Sequence, residues 1–371
     1  VHSGIEFQNE KYSFIVHYYP LTLPNDDPVI NISILATFNL SGENYLNDIV
    51  AYGDYIYCVG TTYAYDEDGD ILVLKFDLNG NLIWSKIIAY GGDEGYCITV
   101  DDEGYIYVGG GVWQGDFDFY VAKINSDGTI VWEKKFMTSN REIIYSMEYY
   151  NGQLYFTGQS NERGNRDIVL GILDPEFGDL RKYVIFDKVS SKEDIPTSLL
   201  VHNDTVYIVG YTTSGVFGGY DGVFIEYVES GSSEISFIGS ERYDWLTDLA
   251  MVENNLLIAG FSREVHFGRK DIMVYNETGK IALCMGSKQR EETYEMLYAN
   301  ERLYLVGIYE SDYVYYGLVL IYDIIRNTTK AETIYFNDDT FITSITNISN
   351  KIIIGGYYKI SENEYQIFIA T

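Results

Sequence analysis

LYLVG (Leu303–Gly307) is a short apolar run ending in glycine, and the chain writes something close to it seven times. The other copies are IYCVG (Ile56–Gly60), IYVGG (Ile106–Gly110), LYFTG (Leu154–Gly158), VYIVG (Val206–Gly210), LLIAG (Leu256–Gly260) and IIIGG (Ile352–Gly356). They recur at roughly fifty residues, which is the period of a repeat architecture. Each copy is preceded by another run, such as EGYCITV (Glu94–Val100) or WLTDLAMV (Trp245–Val252). Each is followed by a polar loop and a third run: DILVLKF from Asp70, DFYVAKI from Asp118, DIVLGIL from Asp167, DGVFIEY from Asp221 and DIMVYN from Asp271. A turn such as DLNGN (Asp77–Asn81) or NSDGT (Asn125–Thr129) then leads to a fourth run, LIWSKII or IVWEKKF. Four short β-branched and aromatic runs per unit, with no helical period between them, predict a blade of four antiparallel strands. One blade leaves both faces wet, so blades must pack around an axis, as in a β-propeller.

The chain ends fix the count. The seventh unit reads FITSITNI, KIIIGG and YQIFIAT and stops at Thr371 with three strands. One orphan run, INISILATFNL (Ile30–Leu40), precedes the first complete unit, with Ile32, Ile34, Ala36, Phe38 and Leu40 alternating with polar residues. That is the pattern of a half-exposed outer strand. The expectation is an all-β, seven-bladed propeller over residues 29–371, closed by this strand as the outer strand of the last blade. Residues 1–28 stand apart as an arm and a tether.

The segment from Ile71 to Gly110, ILVLKFDLNGNLIWSKIIAYGGDEGYCITVDDEGYIYVGG, resembles the β-propeller repeat of secreted and surface proteins of bacteria and archaea. The likeness is close in the first two units, with DLNGNLIW at Asp77–Trp84 and the looser NSDGTIVW at Asn125–Trp132; units three to seven lack the tryptophan, and unit six has Tyr316 in place of the third-run aspartate. The resemblance implies architecture and an extracellular setting, but no single activity.

Acidic residues outnumber basic ones by 55 to 25, giving a formal charge of −30. A field of that sign repels phosphate backbones, so nucleic acid is not expected as a partner. No apolar run is long enough to span a membrane as a helix. The first residue is Val1 rather than methionine, and removal of a leader is the expectation. Cys58, Cys97 and Cys284 form no C-x-x-C; Cys58 and Cys97 fall in neighbouring units where one bridge or two buried thiols are both open readings.

The recurrence of Asp70, Asp118, Asp167, Asp221 and Asp271 argues for loop ordering rather than catalysis, which needs a residue once. DEDGD (Asp66–Asp70) has part of the spacing of a calcium loop, so a weak calcium site at Asp66 and Asp68 is considered, although Ile71 replaces the required glycine. No other cofactor is expected. The turns near Asp77 and Asn125 resemble the Asp-box of sialidases without its spacing, and only Trp84 and Trp132 resemble a quinoprotein motif. His2, His17, His202 and His266 have no metal spacing, and nucleophile-elbow and phosphate-loop motifs are lacking. With 55 acids in the chain, a glycosidase-like carboxylate pair facing across the axis stays open. No catalytic residue is assigned.

N-x-S/T occurs at Asn31, Asn39, Asn203, Asn276, Asn327 and Asn347. In a four-stranded meander all of these except Asn39 fall at one end of the propeller. Glycosylation there places the chain outside the cytoplasm, in the extracellular space or at the cell surface. The opposite end carries the loops between second and third strands, rich in aromatic residues beside charges, with Trp113, Tyr220, Phe267 and Tyr313 as binding candidates for a glycan or a protein surface. KYSFIVHYY (Lys11–Tyr19) alternates as a strand, with Tyr12, Phe14, Val16 and Tyr18 on one side, before the proline-marked stretch PLTLPNDDP. It either folds back on its own propeller or adds to an open blade edge of another molecule, building a polymer. The leading expectation is a non-enzymatic glycosylated structural or interaction protein, partnered by itself or another surface protein. The alternative is a carbohydrate-binding or carbohydrate-active propeller.

Overall fold

A computed structural model describes residues 31–65, 68–136, 141–186, 192–263, 269–336 and 338–371, together with the backbone of three short N-terminal strands. Seven antiparallel sheets form the blades. Blade one runs Asn44–Tyr52, Tyr55–Thr62, Asp70–Asp77 and Leu82–Ile88, each strand pairing with the next. The first strands of blades two to seven are Glu94–Val100, Glu142–Tyr150, Asp194–His202, Asp244–Val252, Arg290–Ala299 and Thr340–Ile348. These seven first strands touch one another in a closed cycle, with blade seven meeting blade one, so they surround the axis.

The last blade is completed by Ile34–Phe38, which pairs antiparallel with Glu364–Ala370 in the register Ile367↔Phe38 and Ala370↔Ile34. The expected alternation breaks at a bulge between Ile369 and Ala370. Ile34 is 43% exposed, while Leu35 joins Phe38 and Leu40 against the core between blades seven and one, and Ile32 packs between blades six and seven. One extra residue exchanges the two faces of a strand, which period-two reasoning cannot anticipate.

The core lies between blades. Tyr57, Val59, Ile71 and Val73 of blade one pack on Ile98, Ile106, Val108 and Tyr120 of blade two, and equivalent clusters fill the other interfaces. The DxNGNxxW pattern has a local cause. Asp77 accepts the Asn79 and Asn81 N–H groups at 2.9 and 2.8 Å to shape the turn, and Trp84 Nε1 donates across to Ser126 O in blade two. Trp132 Nε1 donates likewise to Pro175 O in blade three.

The repeated glycine is explained by a bulge in every first strand. The register slips at Asn47, Tyr96, Tyr145, Thr197, Thr247, Tyr294 and Thr343, one extra residue per blade. The slip drives the carbonyl of a residue just before it onto the second strand. A Cβ on Gly60, Gly110, Gly158, Gly210, Gly260, Gly307 or Gly356 would lie only 1.9–2.3 Å from that carbonyl oxygen. Only a residue without a side chain fits there.

The arm forms a hairpin, Glu6–Asn9 with Tyr12–Ile15, rather than the single strand expected over Lys11–Tyr19. A third strand, His17–Pro20, adds parallel to Ile281–Gly286, the outer strand of blade five of the same chain. Val16 lies outside the described residues. No helix among the described residues is long and apolar enough to cross a membrane.

Candidate site at the mouth of the axial channel

The bulges that require the glycines also build the channel. Each extra residue and the one after it line the axis: Asn47 and Asp48, Tyr96 and Cys97, Tyr145 and Ser146, Thr197 and Ser198, Thr247 and Asp248, Tyr294 and Glu295, and Thr343 beside Ser344. A first strand has no β partner on its axial side, so its backbone groups must be satisfied otherwise. Side chains of the preceding blade do this at all seven interfaces. Ile98 N donates to Asp48 (2.9 Å), Tyr149 N to Thr99 (3.4 Å), Leu199 N to Ser146 (3.2 Å) and Val201 N to Glu148 (2.7 Å). Ser198 and Thr197 reach Asp248 and Leu246 O, at 2.6 and 2.8 Å. Met296 N donates to Asp248 (2.6 Å), Ile345 N to Glu295 (2.8 Å) and Ile49 N to Ser344 (3.0 Å), which closes the belt.

Two connected spaces result. A chamber of about 130 Å³ sits within the belt and opens into a vestibule of about 560 Å³. The vestibule is walled by Tyr96, Tyr145, Tyr211, Tyr294, Phe341 and Tyr357, with Arg166 as its cation. Tyr96 and Tyr145 meet edge to face at 5.0 Å, and Phe341 stacks on Tyr357 at 5.0 Å. Because first strands start at this end, the vestibule opens on the side of the loops between second and third strands.

Three carboxyls converge on the chamber from blades one, five and six. Burial raises the pKa of Asp48, Asp248 and Glu295, and for Glu295 the charges of Asp48 and Asp248 raise it further. The accepted N–H and hydroxyl donors pull the other way without cancelling the effect. Below them Glu148 is pushed up to about 7 by burial. The residue after the bulge reads Asp, Cys, Ser, Ser, Asp, Glu and Ser in the seven first strands.

The residues singled out in the sequence are distributed differently. Tyr220 adjoins the mouth, stacking on Tyr211 at 6.0 Å and meeting Trp245 edge-on at 5.2 Å. Trp113 is 44% exposed with its ring edge-on to the neighbouring Phe117, and Tyr313 stands 85% exposed at a hairpin tip; neither lines the chamber or the vestibule. Phe267 and Asp66 lie outside the described residues. Among the described residues no three or more His, Cys, Asp or Glu side chains, Asp68 included, are grouped to hold a metal ion. Asp70, Asp118, Asp167, Asp221 and Asp271 are buried, and Asp221 accepts the Phe217 N–H of its own loop at 3.1 Å. A second loop-ordering set, at the starts of first strands, went unread: Asp244 accepts from Ser240 N and Oγ at 2.7 Å, and Thr340 from Phe336 N at 3.2 Å.

Asn203 lies in the turn between first and second strands and Asn347 one residue from the end of its first strand, while Asn276 ends its third strand and Asn327 lies in the turn that follows its own third strand. Asn31, exposed, precedes the closing strand at that same end; Asn39 lies at the other end, donating to Glu364 at 2.8 Å. Cys58, Cys97 and Cys284 are buried free thiols, with burial pushing the Cys284 thiol up to about 12.

No protein-family model and no curated protein matches the sequence. Solved structures do. The β-propeller domain of the Trilobed protease from Pyrococcus furiosus, described with an open velcro topology, superposes with a TM-score of 0.53 at 13% identity, over 88% of this chain and 95% of that one. The acylaminoacyl peptidase of Pyrococcus horikoshii gives a TM-score of 0.50 at 11% identity, covering 87% of this chain but only 52% of the peptidase. This chain is a seven-bladed β-propeller. At such identities the likeness is one of fold, and here the ring is closed by an N-terminal strand.

Proposed function

We propose that this chain is an extracellular or cell-surface glycoprotein whose propeller is an interaction module, with sugar at one end and a ligand received at the aromatic mouth of the axial channel. One observation carries this reading: five of the six sequons lie at the end opposite the vestibule, so that sugar would leave the mouth bare. Rigid first strands position the mouth, and aromatic walls over a polar chamber are the usual make-up of a small-ligand site. The carboxyls of Asp48, Asp248 and Glu295 each accept a main-chain N–H from the next blade, which favours fixed recognition over a mobile proton-transfer role. Exchange of the His17–Pro20 strand between molecules, reproducing the pairing with Ile281–Gly286, supplies a route from interaction to self-assembly.

A carbohydrate ligand is the second reading, favoured by the six aromatic side chains at the mouth, whose faces suit sugar rings. The test is binding of fluorescently labelled protein to source cells and to a glycan array, for wild type and for Tyr211→Ala and Phe341→Ala, with thermal melts confirming folding. Loss of binding in folded mouth variants is expected; equal binding by all three overturns the reading. Intact-mass spectrometry of native protein is expected to find sugar at the sequon end, and unmodified asparagines throughout would remove the extracellular argument.

A further inference from the structure

The belt is not uniform around the ring. Thr197 and Thr343 occupy equivalent bulge positions and donate to Leu246 O and Leu46 O of the following blade, each at 2.8 Å. Thr247 occupies the same position in blade five, is 9% exposed, and lines both chamber and vestibule, yet its hydroxyl has no partner. A buried hydroxyl left unpaired costs free energy unless something completes it. It stands next in sequence to Asp248 and one blade from Glu295, so the irregularity falls where the buried carboxyls are concentrated.

Among the described residues no lysine or arginine lines the chamber to balance Asp48, Asp248 and Glu295, and the cation lining the vestibule is Arg166. The carboxyl oxygens also carry prior commitments. Asp48 accepts Ile98 N, Ile49 N and the Ser344 hydroxyl, and Asp248 accepts Met296 N and the Ser198 hydroxyl. A divalent metal requires several oxygens stripped for coordination at fixed geometry, and these residues form no such group. An ammonium group asks for less: three acceptors at hydrogen-bond distance, with lone pairs to spare on oxygens already accepting one bond. The chamber of about 130 Å³ holds such a head group with a few methylenes, and the tyrosines above it offer ring faces to a cation and apolar surface to its stem.

We propose that the chamber is a binding site for a primary alkylammonium group, with Glu295 and Asp248 as counter-charges, the Thr247 oxygen as a further acceptor, and the alkyl stem rising between Tyr96 and Tyr294 into the vestibule. The inference rests on the mouth being a binding surface and names the chemistry it selects. A free amine and a lysine side chain share that chemistry, and the probes separate them.

The test is isothermal titration calorimetry on the full chain at several values between about pH 7 and 9, because burial raises the pKa of all three carboxyls, with n-butylammonium, n-butanol, Nα-acetyl-lysine amide, calcium and an unbranched diamine as probes. Butylammonium is expected to bind at one site per chain and butanol not to bind. Tighter binding of the diamine assigns a free amine, and tighter binding of the lysine amide assigns a protein-borne one. Glu295→Gln keeps an acceptor for Ile345 N while removing the carboxyl that an ammonium would draw into its ionised form, and is expected to weaken butylammonium roughly tenfold or more. Thr247→Val changes no charge and is expected to weaken it severalfold, which keeps the test decisive if the first variant does not fold. Equal binding of butanol, calcium binding in preference to every ammonium, or unchanged affinity in folded Thr247→Val and Glu295→Gln would each overturn the proposal. Absence of amine binding while the mouth variants still abolish cell binding would sink the ammonium site alone; retained cell binding by those variants would sink the mouth itself.

Discussion

Replacing Gly307 by alanine tests the link between the repeated motif and the channel. The added Cβ would sit 2.0 Å from Glu292 O and 2.9 Å from the Cα of Thr293. Both contacts are backbone, so no side chain can swing aside, and the carbonyl must retreat by more than an ångström to reach an ordinary contact. The displaced segment is the bulge at Tyr294, immediately before Glu295. Overpacking of a rigid core costs about 1–3 kcal/mol, and loss of a bulge hydrogen bond adds about 1 kcal/mol. The expected loss is therefore about 2–4 kcal/mol, or a fall of about 4 °C in Tm for a chain of this size. Gly152→Ala is the comparison, since its position is open but has φ of +78°. It is expected to lose only about 1 kcal/mol through backbone strain. Urea unfolding monitored by circular dichroism measures both. A Gly307→Ala protein as stable as wild type, or no worse than Gly152→Ala, would refute the claim that close approach at the bulge dictates the glycine.

Other outcomes follow from the same geometry. Glu148 has its folded pKa raised from 4.5 to about 7 by burial. The folded state therefore binds more protons than the unfolded state between those values, and the stabilisation present at low pH is lost as pH rises through the folded pKa. Glu148→Gln should remove roughly 3 kcal/mol of that dependence between about pH 4.5 and 7; identical pH profiles in urea melts would contradict the assignment. Deleting residues 1–41 removes the outer strand of blade seven, with Leu35, Ala36 and Phe38 from the core between blades seven and one. The product should be insoluble or unfolded, and a soluble form with unchanged Tm would refute closure by this strand.

The architecture was legible because it is written repeatedly. Seven glycine-ended runs, a last unit short of one strand and an orphan strand at the other end needed only counting. The channel was harder to read for a physical reason. A bulge adds one residue without changing a strand's apolar content, so the runs around Asn47 and Thr247 look like ordinary strands with a polar residue inside. The three carboxyls also do not recur: Asp48, Asp248 and Glu295 share their column with Cys97, Ser146, Ser198 and Ser344. Their convergence depends on ring closure, which brings residues some 200 positions apart to one axis. The same device hid the exchange of Ile34 for Leu35. Long loops point to exposed aromatics such as Trp113 and Tyr313, whereas the mouth is walled by half-buried ones on strands, including Tyr145 and Tyr211.

The most direct measurement of the account is tyrosine footprinting by hydroxyl radicals on the native protein, free and bound at the source cell surface. The account predicts protection of Tyr145, Tyr211 and Tyr357 at the mouth, with Tyr55, 37% exposed at the start of a second strand at the sequon end, labelled equally in both states. Protection of Tyr55 with the mouth tyrosines unchanged would contradict it.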